Sequence, residues 1–243
     1  MSQGLKKAGY AQGLTEVSST AKEEVGSLRI LKDGRKFRYA KAGASALAAG
    51  KLNMAAAIAA EVMDEAMPAT SIGATALTFT AGGNVTYAES YFKGGYLQIN
   101  DATGEGHQYK IASSSAVSSG TAIYISLEDP IRVALTTSSL GTLVHSPWMA
   151  VVETATEENT PAGVSPVVVP ANYYFWDQTS GPACCLCAGT PGLGAVLIPG
   201  GVAGSVTVYT PTTATASTWS FVGRVLGTAG VDTDYKPIML QLD

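Results

Sequence analysis

The chain has 243 residues, enough to bury the core of one large β domain or of two smaller ones. Only 14% of the residues are charged, below the roughly 25% usual in soluble domains, and the formal net charge is −4. So little charge indicates a surface covered by partner subunits, and no apolar run approaches the about 18 residues of a membrane span. The opening sequence MSQGLKKAGYAQ has charge without a hydrophobic stretch, so we expect no secretory signal peptide.

Positive charge is concentrated in the first fifth of the sequence. Residues 1–53 hold ten of the fifteen Lys and Arg residues and four acidic residues, a net charge of +6. The remaining residues hold five basic and fifteen acidic residues, a net charge of −10. This asymmetry predicts that residues 1–53 form a basic, extended N-terminal arm that binds a partner, while the acidic body of the protein faces away from that partner.

The centre of this arm has a pattern typical of a contact strand. Asp33-Gly34 predicts a tight turn, after which Phe37 and Tyr39 alternate with cations, so aromatic and cationic side chains would occupy opposite faces. The predicted contact residues share this segment: Arg29, Arg35, Lys36, Phe37, Arg38, Tyr39 and Lys41. A solvated basic loop is one alternative. A nucleic-acid-binding arm is another, which the acidic body and a sequence pI near 5.2 disfavour.

A short α-helix is predicted over residues 54–68. The segment is rich in Ala and contains no Gly, and Pro is absent until position 68. Such a run favours a helix of about three to four turns, capped by Asn53 and ended by Pro68.

From Thr70 onward the sequence has the pattern typical of short strands joined by turns. Strands are predicted at 76–80, 85–87, 96–100, 108–111, 121–126, 143–152, 164–169, 173–176, 183–188, 194–198, 205–209, 220–226 and 238–242, with a turn at Gly82-Gly83-Asn84. This spacing predicts a mainly β fold with a β-sandwich or β-barrel body. The acidic, proline-containing link at 153–161 divides a first β unit, 69–153, from a second, 162–243, unless the two form one continuous β domain.

Few residues suggest a catalytic or metal-binding site. The segment Asp101–His107 alternates acids, a hydroxyl and a histidine, which could form a cation site, but its two glycines favour a turn. Cys184, Cys185 and Cys187 suit buried strand thiols better than metal ligands, since His107 or His145 could join them only through folding. No GxSxG, HExxH or P-loop motif occurs. We therefore expect no enzymatic activity, no cofactor and no metal.

Several segments resemble a family of tailed-bacteriophage virion structural proteins that includes head decoration, or cement, proteins. They are Asp33–Ala44, Leu47–Leu52, Gly94–Ile111, Leu127–Leu135, Tyr173–Ala183 and Val222–Leu242. Together they span most of residues 28–242, and the Cys-Cys-Leu-Cys run departs from the family pattern. The resemblance implies a protein without a catalytic motif.

The resemblance also implies a partner and a place. Cement proteins bind the outer surface of the major capsid protein shell, commonly as homotrimers, and stabilise the head by bridging neighbouring capsomers. The chain would then lie on the outer face of the virion capsid after assembly in the host bacterial cytoplasm, with neither nucleic acid nor membrane as a partner. The alternative is a receptor- or glycan-binding module of a fibre or tail, in which Trp148, Trp176 and Trp219 would stack on sugars.

Overall fold

The computed structural model describes residues 9–155, 159–210, 220–227 and 231–243. Within these ranges the fold is mainly β, as predicted, and the one helical element is a three-residue 3-10 helix at Ala60–Val62. The strands are β1 (Leu28–Ile30), β2 (Lys36–Lys41), β3 (Leu52–Met54), β4 (Glu65–Ala66), β5 (Ala76–Tyr87), β6 (Tyr96–Asp101), β7 (Gln108–Ser114), β8 (Val117–Leu127), β9 (Leu140–Val144), β10 (Pro161–Val164), β11 (Tyr174–Cys187), β12 (Val196–Pro199), β13 (Val206–Val208), β14 (Gly223–Val225) and β15 (Asp234–Gln241).

The chain forms two compact units, one inserted into the other in sequence. Unit 1 comprises Met1–Ala56 and Ala150–Asp243, and unit 2 comprises Ala57–Met149. These boundaries differ from the predicted division into 1–53, 54–68, 69–153 and 162–243, because the basic N-terminal segment shares a unit with the C-terminal strands. Pairing between strands more than a hundred residues apart produces this arrangement, and local sequence patterns do not report it.

Unit 1 is built around the 14-residue strand β11. Its first half pairs with β2, where Trp176 lies opposite Tyr39, and its second half pairs with β15 from Ser180 to Cys187. Strand β11 also pairs with β13, and the antiparallel pairs β13–β12, β12–β14 and β14–β15 lead back to β11. Five strands therefore form a closed ring of pairings.

Alternate residues of the ring point inward and form its core. Cys185 and Cys187 alternate with Cys184, so the two inward thiols are buried and the third is exposed. The buried core residues are Leu52, Met54, Val164, Cys185, Cys187, Leu197, Val206, Val222, Val225, Ile238 and Leu240. The prediction of buried strand thiols is confirmed for Cys185 and Cys187, because a period of two places every second side chain on the inner face.

Unit 2 contains one six-stranded sheet in the order β4-β9-β6-β7-β8-β5. Its end strands β4 and β5 approach each other, since a Cβ atom added at Gly82 would collide with the Glu65 carboxylate. The turn predicted at residues 82–84 is instead an irregularity within β5, whose register against β8 shifts between Thr80 and Val85. The sheet encloses its own core: Val62, Met67, Phe79, Ala81, Val85, Phe92, Leu97, Ile99, Tyr109, Ile111, Ile123, Ile125, Leu127, Ile131, Leu135 and Leu143.

The predicted helix over 54–68 is wrong. Strand β3 begins the segment, Ala60–Val62 forms a 3-10 helix, and β4 follows. Asn53 is buried within β3 instead of capping a helix, and β3 pairs with β10. A short helix depends on tertiary packing for its stability, so these strand pairings override the helix propensity of the alanines.

The extended N-terminal arm is not seen in residues 9–53, which are folded into unit 1. Strand β1 pairs with β2, β2 pairs with β11, and Leu47 forms an isolated bridge with Val169. The surface against which these residues pack belongs to the same chain. Residues 1–8 lie outside the described residues.

A leucine pair tests the ring core of unit 1. Leu240 on β15 is fully buried, whereas Leu193 is 71% exposed. Leu240→Ala should lower the free energy of unfolding by about 2–5 kcal/mol, because it removes transfer energy and leaves a cavity. Leu193→Ala, the matched control, should change it by less than about 0.5 kcal/mol in urea unfolding. Equal effects of the two substitutions would contradict the assignment of Leu240 to the core.

Candidate functional site

The aromatic residues predicted to contact a partner are core residues. Phe37 and Tyr39 are fully buried, and they pack with Trp176 beneath Leu14 and Leu31. The sequence correctly predicted a two-faced strand, but the aromatic face covers β11 of the same chain instead of an external surface. Phe37 and Tyr39 are therefore wrong as contact residues.

Gln12, which the sequence analysis missed, fixes the segment before β1 over this aromatic cluster. Its Nε2 donates to the Tyr174 carbonyl oxygen (3.0 Å), and its Oε1 accepts a hydrogen bond from the Tyr39 hydroxyl. Its carbonyl oxygen accepts bonds from Trp176 Nε1 (3.1 Å) and Arg29 Nη1 (3.0 Å). The side chain is fully buried, so each of these bonds offsets a desolvation cost. No local sequence signal marks a glutamine for this role.

Three of the predicted contact cations lie over aromatic rings of unit 1: Arg29, Lys41 and Arg35, whose guanidinium carbon is 5.6 Å from the Phe37 ring centre. The Arg29 guanidinium carbon lies 4.7 Å from the ring centre of Tyr10 and 5.4 Å from that of Trp176. Lys41 Nζ lies 5.5 Å from the ring centre of Tyr174. These cations are half-buried, and cation–π attraction holds them over the aromatic rings.

Arg35 and Arg38 have carboxylate partners in the same unit, and Lys36 is half-buried at the start of β2. Arg38 binds Asp243 with two hydrogen bonds, of 2.7 and 3.0 Å, and this pairing lowers the pKa of the Asp243 carboxyl below its ordinary value. Arg35 Nε donates to Asp33 Oδ2 at 2.7 Å. Much of the charge predicted to bind a partner is thus paired within unit 1.

Of the tryptophans proposed to stack on sugars, Trp176 is fully buried and has no face for a ligand. Trp148 is half-buried, and Trp219 lies outside the described residues. The segment Asp101–His107 forms the predicted turn between β6 and β7. Across the ranges that the structure describes, no three His, Cys, Asp or Glu residues are grouped to hold a metal ion. No helix in those ranges is long and apolar enough to cross a membrane.

A buried polar cluster lies where β3, β10 and β11 meet. Asn53 Nδ2 donates to Asp177 Oδ1 (2.9 Å) and to Ser165 Oγ (2.8 Å), and all three side chains are fully buried. Gly163 makes room for the carboxyl, since a Cβ there would lie 2.4 Å from Asp177 Cγ. Desolvation raises the pKa of Asp177 well above its ordinary value, so the site favours the neutral acid.

A groove of about 480 Å³ opens on unit 1 beside β11. This volume lies within the range of ordinary ligand sites. Its lining residues are Arg35, Ala49, Gly50, Val164, Ser165, Pro166, Gln178, Pro182, Ala183, Cys184 and Tyr235. Arg35 is the one charged residue among them, so the groove is mainly apolar with a single cation.

Two glycines with positive φ lie directly beneath the side chains that flank this groove. Gly50 (φ 73°) lies under the Tyr235 ring, and a Cβ there would approach Tyr235 Cε1 to 2.8 Å. Gly181 (φ 91°) lies under Arg35, and a Cβ there would approach Arg35 Cγ to 2.8 Å. Both positions need glycine for its conformation and its lack of a side chain, so the groove walls are fixed by the backbone.

Beside the groove, outward residues of β14 and β15, together with Leu226 directly after β14, form a surface that we call the outer wall: Arg224, Leu226, Tyr235, Pro237 and Met239. Register places Arg224 opposite Met239, and the Leu226 N–H donates to the Pro237 carbonyl oxygen. Leu226 is 42% exposed and Tyr235 is 45% exposed. The outer wall therefore presents adjacent apolar side chains with one charge, the character of an interaction surface.

Comparison of the chain with models of known protein families found no match. Comparisons with curated proteins and with solved structures found none either.

Cysteine accessibility gives a direct test of the strand orientation in β11. Cys184 is exposed, burial raises the pKa of the Cys185 thiol well above its ordinary value, and burial raises that of Cys187 to about 11. Since the thiolate is the reactive form, we expect one rapid equivalent with an aromatic disulfide reagent at pH 8, and three after denaturation. Cys184→Ser should remove the rapid equivalent, and its survival would contradict the orientation.

Asp177 should make stability depend on pH in a defined direction. Its folded-state pKa is raised, so its contribution is fully present below the unfolded-state pKa and is lost as pH rises through the folded-state pKa. In urea unfolding from pH 4 to 8, the wild-type free energy of unfolding should fall relative to that of Asp177→Asn, by up to about 1.4 kcal/mol per pH unit.

Asp243 provides a control of opposite sign. Its pKa is lowered by Arg38, so its contribution is present above the unfolded-state pKa and is lost as pH falls through the folded-state pKa. The wild-type free energy of unfolding should therefore rise with pH relative to that of Asp243→Asn. A pH-independent difference for Asp177→Asn would show that this carboxyl does not change its pKa on folding.

Proposed function

We propose that this chain is a structural protein of a tailed-phage head, of the decoration type, that attaches to the outside of the major capsid protein shell. The observation that carries the proposal is the exposed, nearly uncharged outer wall of unit 1. The resemblance of six sequence segments to virion structural proteins supports the same function. In this proposal the closed strand ring of unit 1 and the curled sheet of unit 2 are compact barrel-like bodies that present binding surfaces.

The outer wall suits attachment to another protein for a physical reason. Its apolar side chains are held outward by strand pairing, and each Å² of apolar area removed from water contributes roughly 25 cal/mol. Arg224 donates a hydrogen bond to the Gly194 carbonyl oxygen (3.1 Å), so it has a partner in its own unit. A shell offers many equivalent sites, so modest contacts repeated over many copies can bridge neighbouring capsomers.

The basic segment has a different role in this proposal from the one that the sequence predicted. Its aromatic residues are buried, Arg29, Arg38 and Lys41 have partners within unit 1, and Arg35 is hydrogen-bonded to Asp33 through Nε. Unit 1 as a whole has twelve basic and eleven acidic residues, a net charge of +1. Apolar burial at the outer wall, and not a cationic arm on an anionic shell, is therefore the proposed source of affinity.

Substitution at the outer wall tests attachment. Leu226→Glu should weaken co-sedimentation with purified heads that lack this protein by at least about tenfold, because it places a charge in an apolar contact. Ile72→Glu in unit 2, where Ile72 is 67% exposed, is the matched control and should bind as the wild type does. Circular dichroism and thermal melting should be unchanged in both variants. Undiminished attachment of folded Leu226→Glu would overturn the proposal for this surface.

A further inference from the structure

The groove of unit 1 has a fixed cationic end. Gln178 Nε2 donates to the carbonyl oxygens of Ser180 (3.1 Å) and Pro182 (2.8 Å), which holds the backbone beside Gly181 in place. Arg35 lies over that glycine, and its one hydrogen-bonded side-chain nitrogen among the described contacts is Nε. The remaining guanidinium nitrogens are available to a carboxylate.

The surroundings of Arg35 strengthen this preference for an anion. The turn from β1 into β2 carries Lys32, Asp33, Arg35 and Lys36, a net charge of +2. The rest of the groove lining is uncharged. The groove therefore favours a compact ligand segment whose charged groups are carboxylates, because Arg35 is the one charged residue of the lining.

The same chain presents such a segment in unit 2, at residues 101–107, which we call the acidic hairpin. Asp101 and Glu105 are exposed, and Glu105 has no cation partner among the described residues. The backbone is fixed by bonds from the Gly106 N–H to the Ile99 carbonyl oxygen (2.9 Å) and from Ser139 Oγ to the Thr103 carbonyl oxygen (2.7 Å). The tip is thus already ordered and would lose little conformational entropy on binding.

Charge is distributed unevenly between the units in a way that favours this contact. Unit 2 has three basic and eight acidic residues, a net charge of −5, whereas unit 1 has a net charge of +1. Glu128, another exposed acid of unit 2, already pairs with Lys110 at 3.0 Å. The acidic hairpin is an ordered turn of unit 2 with two exposed carboxylates, Asp101 and Glu105, and no Lys or Arg residue between them.

We propose that the groove of unit 1 receives the acidic hairpin of a second copy of this chain, with Arg35 binding a carboxylate of that hairpin. The two surfaces are different patches, so the contact is heterologous and propagates from copy to copy into a closed ring or an open row. This inference deepens the proposed function by naming how copies meet, and it rests on the proposal that the chain assembles in many copies. Because one end of the contact is ionic, it should weaken as salt concentration rises.

Cys184 lines the groove and reports its occupancy in the intact protein. The rate of its reaction with an aromatic disulfide reagent should fall several-fold as protein concentration rises from low micromolar to hundreds of micromolar, because the hairpin of a second copy covers the thiol. Sedimentation velocity over the same concentrations should show association in parallel. A rate that does not depend on concentration would overturn the proposal.

Charge reversal identifies the partner surfaces. Arg35→Glu and Glu105→Lys should each abolish the concentration dependence of the Cys184 rate, with each variant compared with its own rate at low concentration. An equimolar mixture of the two variants should restore it, because the reversed groove then meets the reversed hairpin. Asp129→Lys, which makes the same change in unit 2 charge outside the hairpin, should behave as the wild type does. Failure of the mixture to restore protection, or protection that persists in both single variants, would overturn the assignment.

The outcome is separable from that of the proposed function. Attachment to heads is measured through Leu226, and groove occupancy is measured in the absence of heads. Attachment without concentration-dependent protection of Cys184 would remove the groove inference and leave the proposed function in place. Protection of Cys184 together with normal attachment by Leu226→Glu would leave the groove contact and remove the outer wall as the attachment surface.

Discussion

The pairing of β11 with two different partners along its length is the constraint on which unit 1 depends. Its first half accepts β2 and brings the N-terminal segment into the body, while its second half accepts β15 and closes the ring. Residues 175–179 of this strand are buried, so their polar side chains favour hydrogen-bond partners inside the protein. Trp176 donates a hydrogen bond to the Gln12 carbonyl oxygen, and Asp177 accepts one from Asn53.

Basic side chains of the N-terminal segment have aromatic and carboxylate partners within unit 1. These contacts explain why a segment with the composition of a binding arm is part of a folded unit. Arginine and lysine have long apolar stems and can stack on aromatic rings while their charge remains near water. In this structure Arg29 covers Tyr10 and Trp176, and Arg38 reaches the C-terminal residue Asp243. The charge asymmetry of the sequence therefore becomes an excess of negative charge on unit 2, with unit 1 close to neutral.

The features that remain open to partners arise from the same strand pairings. The outer wall consists of Leu226 and of outward residues of β14 and β15, whose inward neighbours, Val225, Ile238 and Leu240, form the ring core. The groove lies beside β11 because Gly50 and Gly181 allow Tyr235 and Arg35 to lie against the backbone. A strand-built body of this kind offers rigid surfaces with little conformational entropy to lose on binding.

The sequence by itself determined the alternation of side chains along two strands and the position of one turn. Alternation in Lys36–Lys41 placed Phe37 and Tyr39 on one face of their strand, and alternation in Cys184–Cys187 placed Cys185 and Cys187 on the face opposite to that of Cys184, since side chains of a strand alternate with a period of two. Turn residues marked the hairpin at 101–107, because its backbone needs positive φ at Ala102, Gly104 and Gly106. Only the tertiary structure decided which faces meet: Asn53 and Asp177 are 124 residues apart, and the alanine-rich segment after Asn53 gave up its helix propensity to strand pairing. Such contacts depend on the free energy of distant partners and leave no periodic trace in the chain, so the burial of Phe37 and Tyr39 could not be predicted from their neighbours.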